Sequence, residues 1–222
     1  MDRWFFMPLM LVFLTGACVS PMPDEETLLH YARSQNVYRE GRFAETALML
    51  AGENKFVPAL VLRGKAEYLS GNPEAAGKTL RRVLKLNPSD AEASIFLARL
   101  YRETGKPEEA RKLTEKILGD NPTDIRALRF AAELARERGS GGEAASAALL
   151  DRAVEASALT AAESALVLLD RARLRWTGGN RSGALEDLGR AKTLLSWDKS
   201  VLDSSVLRAV ERLEAIIMEV SL

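Results

Sequence analysis

The sequence predicts an all-α fold in which helical hairpins stack into an α-solenoid, closed at its C-terminal end by a capping helix. The first observation is a repeat: three pairs of identical residues lie 34 positions apart, namely Gly71 and Gly105, Ala76 and Ala110, and Pro88 and Pro122. The second is a composition rich in Ala, Leu, Glu and Arg, which favour helices, without strand-like alternation. A repeat of this length is one helical hairpin that stacks on its neighbours to bury its apolar face.

The N-terminal residues are typical of an export signal. Trp4 to Leu14 is an apolar run interrupted only by Pro8. This run is too short to span a bilayer as a helix, which needs about 20 residues, and it has the length of the apolar region of a signal peptide. We therefore expect a signal peptide over residues 1–17 and a lipidated cysteine with a short tether over residues 18–26.

Cys18 is the only cysteine and follows the sequence Leu-Thr-Gly-Ala. This segment resembles the lipobox of bacterial lipoproteins, whose cysteine is diacylated and becomes the first residue of the mature chain. The resemblance implies lipidation of Cys18 and a periplasm-facing protein of the bacterial cell envelope. Val19, where an aspartate would signal retention in the inner membrane, favours the outer membrane. Two alternatives are a secretory signal that is discarded with Cys18 as a free thiol, and an uncleaved anchor.

Residues 27–198 are predicted to form about five hairpins, of which 57–90 and 91–124 match the period best. The first hairpin is shorter, because Gly41 and Gly71 in successive turns are only 30 residues apart. About one helical turn is therefore missing from its second helix. The predicted turns of the first, fourth and fifth hairpins are residues 40–42, 139–142 and 178–180.

Prolines mark helix boundaries within the two best units. Pro73 and Pro107 follow the turns and suit the first position of a helix, where the missing N–H breaks no helical hydrogen bond. Pro88 and Pro122 prevent continuation of the preceding helices. These local signals therefore agree with the 34-residue period.

Residues 199–222 are predicted to form the capping helix. An apolar stripe at helical spacing consists of Leu207, Val210, Leu213, Ile217 and Val220. A solenoid needs such a helix to cover the exposed end of its core. The alternative is a helix that docks on a partner.

The repeated pattern resembles the tetratricopeptide repeat family, whose signature combines W-x₂-L-G-x₂-Y, A-x₃-F and a late proline. The unit 57–90 carries Leu60, Gly64, Tyr68, Ala76, Leu80 and Pro88, and the unit 91–124 carries Leu97, Ala98, Tyr101, Gly105, Ala110 and Pro122. The resemblance implies a right-handed solenoid that binds other proteins and does no chemistry itself. It suggests a scaffold in a cell-envelope assembly, such as a pilus or secretion machine, outer-membrane protein assembly or a transporter accessory.

In this family the first helix of each hairpin lines a concave groove, so the resemblance assigns the partner-binding residues. The matching positions are Tyr31, Gln35, Tyr38, Lys65, Tyr68, Ile95, Arg99, Arg102, Arg126, Arg129, Arg136, Arg173 and Trp176. Basic groups interleave with aromatic ones, a surface that suits an acidic peptide or helix with one or two apolar anchors. The alternative is that the arginines form a solvated helix face, paired with Glu103, Glu133 and Glu137.

Signals for catalysis and cofactors are missing from the sequence. His30 is the only histidine, so neither a histidine metal cluster nor a nucleophile–histidine pair has support. No phosphate-binding or dinucleotide-binding glycine motif occurs. The 31 basic and 31 acidic residues give no net attraction to nucleic acid. We expect no enzyme activity, no metal, no cofactor and no nucleic-acid partner.

A second function class is a periplasmic small-ligand carrier or transport accessory. Its cavity between helix pairs would be lined by Tyr68, Phe96, Phe130 and Trp176 and would hold an apolar or anionic ligand. A carrier should retain its ligand through gentle purification, whereas a docking scaffold should not.

Overall fold

The computed structural model describes residues 23–139, 141–156, 160–197 and 205–219. These residues form eleven helices and contain no strand, so the all-α prediction is confirmed. None of these helices combines the length and the apolar character needed to cross a membrane. The predicted signal peptide, Cys18 and most of the tether lie outside the described residues.

The helices follow one another with short connections. In chain order they are α1 (Glu25–Arg39), α2 (Phe43–Met49), α3 (Val57–Leu69), α4 (Pro73–Leu86), α5 (Ala91–Glu103), α6 (Pro107–Asp120), α7 (Ile125–Arg136), α8 (Gly142–Glu155), α9 (Ala161–Thr177), α10 (Arg181–Trp197) and α11 (Ser205–Glu219). Helices α1 to α10 pair into five hairpins, and α11 packs against both helices of the last hairpin.

The hairpins stack so that their first helices form an inner layer. Each second helix packs on its own partner and on the helix that follows it. Successive first helices, such as α3 and α5 or α5 and α7, also contact each other, whereas no two successive second helices do so within the described residues. Because the first helices lie closer together, the stack curves around them. Their free side therefore forms the floor of a groove.

Glycine at the turn of each hairpin explains part of the 34-residue period. The five turn glycines have φ between 74° and 82°: Gly41, Gly71, Gly105, Gly139 and Gly179. Residues with a side chain rarely adopt this left-handed conformation, which glycine adopts without steric cost. The predicted turns of the first and fifth hairpins contain these glycines, and the second helices α4 and α6 begin at the two predicted prolines.

Aspartates, also 34 residues apart, begin two of the first helices. Asp90 Oδ1 accepts a hydrogen bond from the Ala93 N–H at 2.9 Å, and Asp124 Oδ1 accepts one from the Ala127 N–H at 3.0 Å. Each side chain thereby satisfies a backbone donor that the first turn of a helix leaves unpaired. The repeat therefore specifies where α5 and α7 start as well as where their hairpins turn.

Small residues allow the helices of a hairpin to approach closely. Gly64 on α3 faces Leu80 on α4, and a Cβ atom at Gly64 would lie 2.7 Å from Leu80 Cδ2. The equivalent residues one and two periods later, Ala98 and Ala132, are also buried. These positions therefore keep a small side chain because a neighbouring helix occupies the space.

Helix α2 is shorter than predicted. It has 7 residues, whereas α4 has 14, so about two helical turns are missing rather than one. The missing turns are replaced by a loop in which Glu53 Oε1 accepts hydrogen bonds from the N–H groups of Asn54, Lys55 and Phe56 at 2.7, 2.7 and 2.9 Å. Burial opposes ionisation of Glu53, but these three hydrogen bonds outweigh it and lower its pKa. The side chain thus stabilises a loop where the repeat would continue the helix.

A buried ion cluster joins α8, α9 and α10. Asp187 is fully buried, and its carboxylate accepts hydrogen bonds from Arg171 Nε at 2.9 Å and Nη2 at 2.6 Å. Arg175 lies 3.0 Å from the same carboxylate, and Arg171 Nη1 donates to Asp151 at 2.8 Å. The hydrogen bonds from Arg171 to Asp187 raise the pKa of Arg171, although burial opposes this. The cluster fixes α9 against α10 in the fifth hairpin.

Helix α11 covers the C-terminal end of the core. Val210 and Ile217 are fully buried in a cluster with Leu188 and Leu195 of α10, and Leu213 packs against it. These residues belong to the apolar stripe that predicted a capping helix. Val220, the last residue of that stripe, lies outside the described residues.

Candidate partner-binding groove

The groove runs along the free side of α1, α3, α5, α7 and α9, and a cavity lies toward each end. The N-terminal cavity has a volume of about 290 Å³, and its lining includes Tyr31, Gln35, Tyr38, Lys65 and Glu92. The C-terminal cavity has a volume of about 410 Å³, and its lining includes Arg102, Arg129, Glu133, Arg136, Asp170 and Arg173. Tyr68 and Arg99 both contact Phe96 and lie between the two cavities.

Three of the predicted groove residues are placed differently. Ile95 is only 2% exposed and packs in the core with Phe130, so its assignment to the groove surface is wrong. Ile95 lies four residues before Arg99 and so shares a helix face with it, but residues of α6 and α7 cover this end of α5. Trp176 is partly buried against the C-terminal core cluster. Arg126 is exposed near the start of α7, where its guanidinium lies 3.3 Å from the Asp124 carboxylate.

Lys65 joins three helices at the N-terminal end of the groove. Its Nζ donates a hydrogen bond to Glu92 Oε1 at 2.7 Å. The same ammonium lies 5.1 Å from the ring centroid of Tyr38 and 5.7 Å from that of Phe96, within the range of cation–π attraction. Burial, and then the nearby Glu92 carboxylate, raise the pKa of Tyr38. Lys65 is therefore engaged by side chains of α1 and α5 at once.

Arginines at the C-terminal end pair with carboxylates of the next hairpin. Arg102 Nη1 lies 2.5 Å from Glu133 Oε2 and 3.9 Å from Glu137 Oε1. Arg129 Nε lies 2.6 Å from Asp170 Oδ2. Each of these pairs connects the first helix of one hairpin to the first helix of the next.

These ion pairs change the interpretation of the groove. Lys65, Arg102 and Arg129 would have to break an existing ion pair to bind an acidic partner. The alternative of a paired helix face is therefore correct for Arg102, whose partners are Glu133 and Glu137. It is wrong for Glu103, which accepts its hydrogen bond from Tyr68. Because the pairs are partly exposed, each contributes little to stability alone.

Arg99 and Arg136 differ from the other groove cations, because neither forms an ion pair within the described residues. The Arg99 guanidinium lies 5.4 Å from the ring centroid of Phe96. Arg136 is exposed and lines the C-terminal cavity. A guanidinium stacked on an aromatic ring keeps its N–H donors available for a carboxylate. Arg99 and Arg136 are thus available to bind an anionic group without disrupting the fold.

Tyr68 crosses from α3 to α5 in the middle of the groove. Its hydroxyl donates a hydrogen bond to Glu103, and its ring packs edge-on against Phe96 with centroids 5.6 Å apart. Burial raises the pKa of Tyr68, and the hydrogen bond to Glu103 raises it further, to about 12. The neutral phenol is therefore the form that the groove stabilises.

We expect Tyr68 to ionise about two pH units later than a phenol in water, whose pKa is about 10. Because its pKa is higher in the folded state, its stabilising contribution is present below about pH 10 and is lost as the pH rises toward 12. The measurement is the difference between tyrosinate absorbance titrations of the natural protein and Tyr68→Phe. Glu103→Gln should lower the pKa of Tyr68. A difference curve centred near pH 10 in the natural protein would contradict the described contact.

Glu92 and Asp170 are groove residues that the repeat pattern alone does not indicate. Glu92 follows Lys65 by 27 residues, and Asp170 follows Arg129 by 41. The first separation is seven residues shorter than the 34-residue period and the second is seven residues longer. Seven residues correspond to about two helical turns. A search for opposite charges one period apart, with an allowance of two turns, would have found both carboxylates.

The aromatic residues proposed to line a ligand cavity do not come together. Tyr68 and Phe96 pack against the core cluster around α3 and α4, whereas Phe130 is buried in the next cluster. Trp176 packs against the C-terminal cluster. The four rings are therefore distributed over three clusters, and the structure does not favour the small-ligand carrier.

Groups with potential for chemistry are few in the part of the chain that the structure describes. No group of three or more His, Cys, Asp or Glu side chains is placed to hold a metal ion there. His30 is exposed on α1. Among these residues, Glu67 Oε2 is the one buried side-chain N or O atom without a hydrogen-bond partner, while Glu67 Oε1 accepts from Arg63 Nε at 2.8 Å.

Comparison of the sequence with protein families agrees with the described hairpins. Residues 67–134 match the sequence profile of the tetratricopeptide repeat. This segment extends from the end of α3 to the last turn of α7. Comparison with curated proteins gives no match.

Several solved structures have a similar fold. TTC0263, a thermophilic tetratricopeptide repeat protein of Thermus thermophilus, is 14% identical with a TM-score of 0.68, over 84% of this chain and 98% of that one. MamA of Desulfovibrio magneticus RS-1 is 19% identical with a TM-score of 0.55, over 82% and 99% of the two chains. A chain of the Cut9–Hcn1 assembly of APC/C is 13% identical with a TM-score of 0.66, over 78% of this chain and 34% of that one.

At these identities the likeness concerns the fold alone, and it is the stacked-hairpin architecture described above. Tetratricopeptide repeats generally bind protein partners and are generally not enzymes. The matched segment, the glycine turns and the inner layer of first helices together show a solenoid of helical hairpins that contains tetratricopeptide repeat sequence over residues 67–134.

Proposed function

We propose that the protein is a non-enzymatic docking protein whose groove binds an elongated segment of a protein partner. In this proposal acylated Cys18 holds it at a bacterial envelope membrane, facing the periplasm, with the outer membrane favoured by Val19. The observation that carries the binding role is the groove itself, in which Arg99 and Arg136 have no ion-pair partner within the described residues while the neighbouring cations are paired.

The groove favours a particular kind of partner segment. Two acidic groups of the partner would bind Arg99 and Arg136, and an apolar side chain would enter the N-terminal cavity beside Tyr31 and Tyr38. This segment is less acidic than the number of groove arginines implies, because Arg102 and Arg129 are already paired. Such a segment fits a component of a cell-envelope assembly, for example a secretion machine, outer-membrane protein assembly or a transporter accessory.

Site-specific photo-crosslinking in the natural host tests the groove. A crosslinking residue is placed at position 99 or 136, and the matched control is placed at Arg190, which is exposed on the second helix α10. We expect one protein to be crosslinked from positions 99 and 136 and not from 190. Equal crosslinking from position 190 would contradict the groove as the binding surface.

Charge reversal then tests the chemistry of recognition. Arg99→Glu with Arg136→Glu should abolish co-purification of the crosslinked partner while the helical circular dichroism spectrum stays unchanged. Lys65 and Arg129 are left intact because their reversal would place like charges against Glu92 and Asp170 and disturb the fold. Unchanged co-purification would argue against recognition by these two arginines.

The membrane anchor is tested separately by intact mass spectrometry of the detergent-extracted protein. We expect the mass of a chain that begins at Cys18 and carries acyl groups, and we expect Cys18→Ala to lose that mass. Two or more acyl chains give stable membrane binding, whereas one gives only marginal binding. An unmodified mass would remove the anchor and leave the groove proposal to the crosslinking experiment.

A further inference from the structure

A basic cavity lies on the α3–α4 hairpin, outside the groove. Its volume is about 720 Å³, and its lining contains five cationic side chains, namely Arg63, Lys78, Arg81, Arg82 and Lys85. Glu53 is the only acidic residue of the lining, and one of its oxygens already accepts three backbone hydrogen bonds. The cavity therefore has a strong excess of positive charge.

The wall of this cavity is held in place by two of its own arginines. Arg63 Nη1 donates to the carbonyl oxygen of Ala51 at 2.7 Å, and Arg82 Nη2 donates to that of Asn54 at 2.7 Å. Both contacts fix the loop that replaces the missing turns of α2. Lys78, Arg81 and Lys85 are exposed and form no ion pair within the described residues. Three cations thus remain available around a preformed surface.

The repeat itself does not require this charge. One period later, on α6, the residues equivalent to the four basic ones of α4 are Lys112, Glu115, Lys116 and Gly119. Helix α6 also carries Glu108 and Glu109 in its first turn, whereas Glu74 is the one carboxylate of α4. Two helices in equivalent places of the same fold therefore differ strongly in charge. Helix α6 provides a matched control for α4.

We propose that this basic face of α4 docks the protein on an anionic phospholipid surface, an inference that rests on the membrane anchor of the proposed function. Lys78 and Lys85 are seven residues apart, which is about 10 Å along a helix. Charges spread over this distance fit an array of headgroups better than one small anion. Basic side chains near an anionic leaflet are attracted to it, and adjacent apolar side chains strengthen the contact.

An exposed leucine borders the basic face. Leu86 directly follows Lys85, lies four residues after Arg82 and is 51% exposed. The chain between Cys18 and Asp24, where α1 is capped, reaches about 20 Å at most when extended. An acylated Cys18 would therefore keep the first hairpins close to the bilayer. Because α4 belongs to the second helices, its docking on lipid leaves the groove of the first helices accessible to a partner.

Lysine footprinting of the full-length acylated protein in vesicles tests this face. The rate at which an added amine-reactive reagent modifies each lysine is measured by mass spectrometry. The vesicles contain either phosphatidylcholine alone or an equal mixture of phosphatidylcholine and phosphatidylglycerol. We expect the mixture to slow the modification of Lys78 and Lys85 by about fivefold and to leave the modification rate of Lys112 on α6 unchanged. High salt should remove the effect, because it screens exposed charges.

Two variants separate docking from general crowding at the membrane. Arg81→Gln with Lys85→Gln should remove the protection of Lys78, whereas Lys112→Gln with Lys116→Gln on α6 should preserve it. Equal protection of Lys78 and Lys112, or no protection by phosphatidylglycerol, would overturn the proposal.

Further measurements distinguish lipid from a soluble anion or a protein on this face, and separate the docking proposal from the proposal of a Cys18 lipid anchor. Protection by inorganic phosphate at matched ionic strength, without phosphatidylglycerol, would assign the cavity to a soluble anion and overturn membrane docking. Protection that appears only with the groove partner would assign the face to a protein, with the same consequence. The intact mass of each sample, measured before lysine labelling, shows independently whether Cys18 carries lipid acyl chains. An acylated chain without protection removes the docking face alone, whereas protection of an unacylated chain supports the face and removes the anchor.

Discussion

Asp187→Asn is expected to destabilise the fifth hairpin by about 3 kcal/mol, because it removes the buried partner of Arg171 and leaves that arginine with the more exposed Asp151 alone. Asp187 is fully buried and receives two hydrogen bonds from Arg171 at 2.6 and 2.9 Å. Arg171 is itself only 8% exposed, so water does not replace the lost carboxylate charge. Chemical unfolding followed by circular dichroism measures the loss in free energy of unfolding.

The matched control is Asp151→Asn on α8. Asp151 accepts a hydrogen bond from the same arginine at 2.8 Å, but its side chain is 53% exposed. Removing the Asp151 charge should therefore lower the free energy of unfolding by less than about 1 kcal/mol, as for other exposed ion pairs. Hydrogen exchange should show faster opening of α9 and α10 in the Asp187 variant, with α3 to α6 unchanged. Equal destabilisation by the two substitutions would show that burial does not set the importance of Asp187.

Gly142→Ala is expected to cost at least about 2 kcal/mol, because the added methyl group has no space. A Cβ atom at Gly142 would lie 2.2 Å from the backbone carbonyl oxygen of Ala135 on α7. Since the obstacle is backbone, a side-chain rotation cannot relieve it, and the start of α8 must move away from α7. Thermal unfolding should show a lower midpoint temperature.

Gly119→Ala provides the opposite expectation on a comparable helix. Gly119 lies within α6, and its added Cβ would meet no atom within 4 Å. Alanine should stabilise this helix by about 0.5–1 kcal/mol, since glycine loses more backbone entropy on folding. An unchanged or raised midpoint for Gly142→Ala would show that the close approach of α8 to α7 does not exclude a methyl group at this position.

The hairpin architecture could be predicted because local signals determine it. Turn glycines with positive φ, prolines at the first position of α4 and α6, and small residues at Gly64 and Ala98 all act within one hairpin or its neighbour. Their identity is therefore visible as a period. The length of α2 depends instead on Glu53, whose hydrogen bonds stabilise a loop, and the period contains no information on that contact.

The groove was predicted less completely than the hairpins. The family pattern places Arg99, Arg102 and Arg129 on first helices, and the structure confirms that location. Whether such a cation is available depends on carboxylates of another hairpin, such as Asp170, which lie up to two turns away from the repeat position. Ile95 illustrates the converse, because a neighbouring hairpin buries a residue whose helical spacing matches the groove face. Pairing and burial between hairpins therefore need the three-dimensional arrangement.

The ion pairs between successive first helices make the groove preorganised. Lys65–Glu92, Arg102–Glu133 and Arg129–Asp170 hold these side chains in ordered positions across neighbouring hairpins while the protein is free. The conformational entropy of ordering these long side chains is then lost during folding rather than on association. A partner that meets such a surface loses less of its interaction energy to ordering the receptor. We therefore expect a partner segment to lose less affinity to ordering these side chains than it would in a groove whose cations were unpaired.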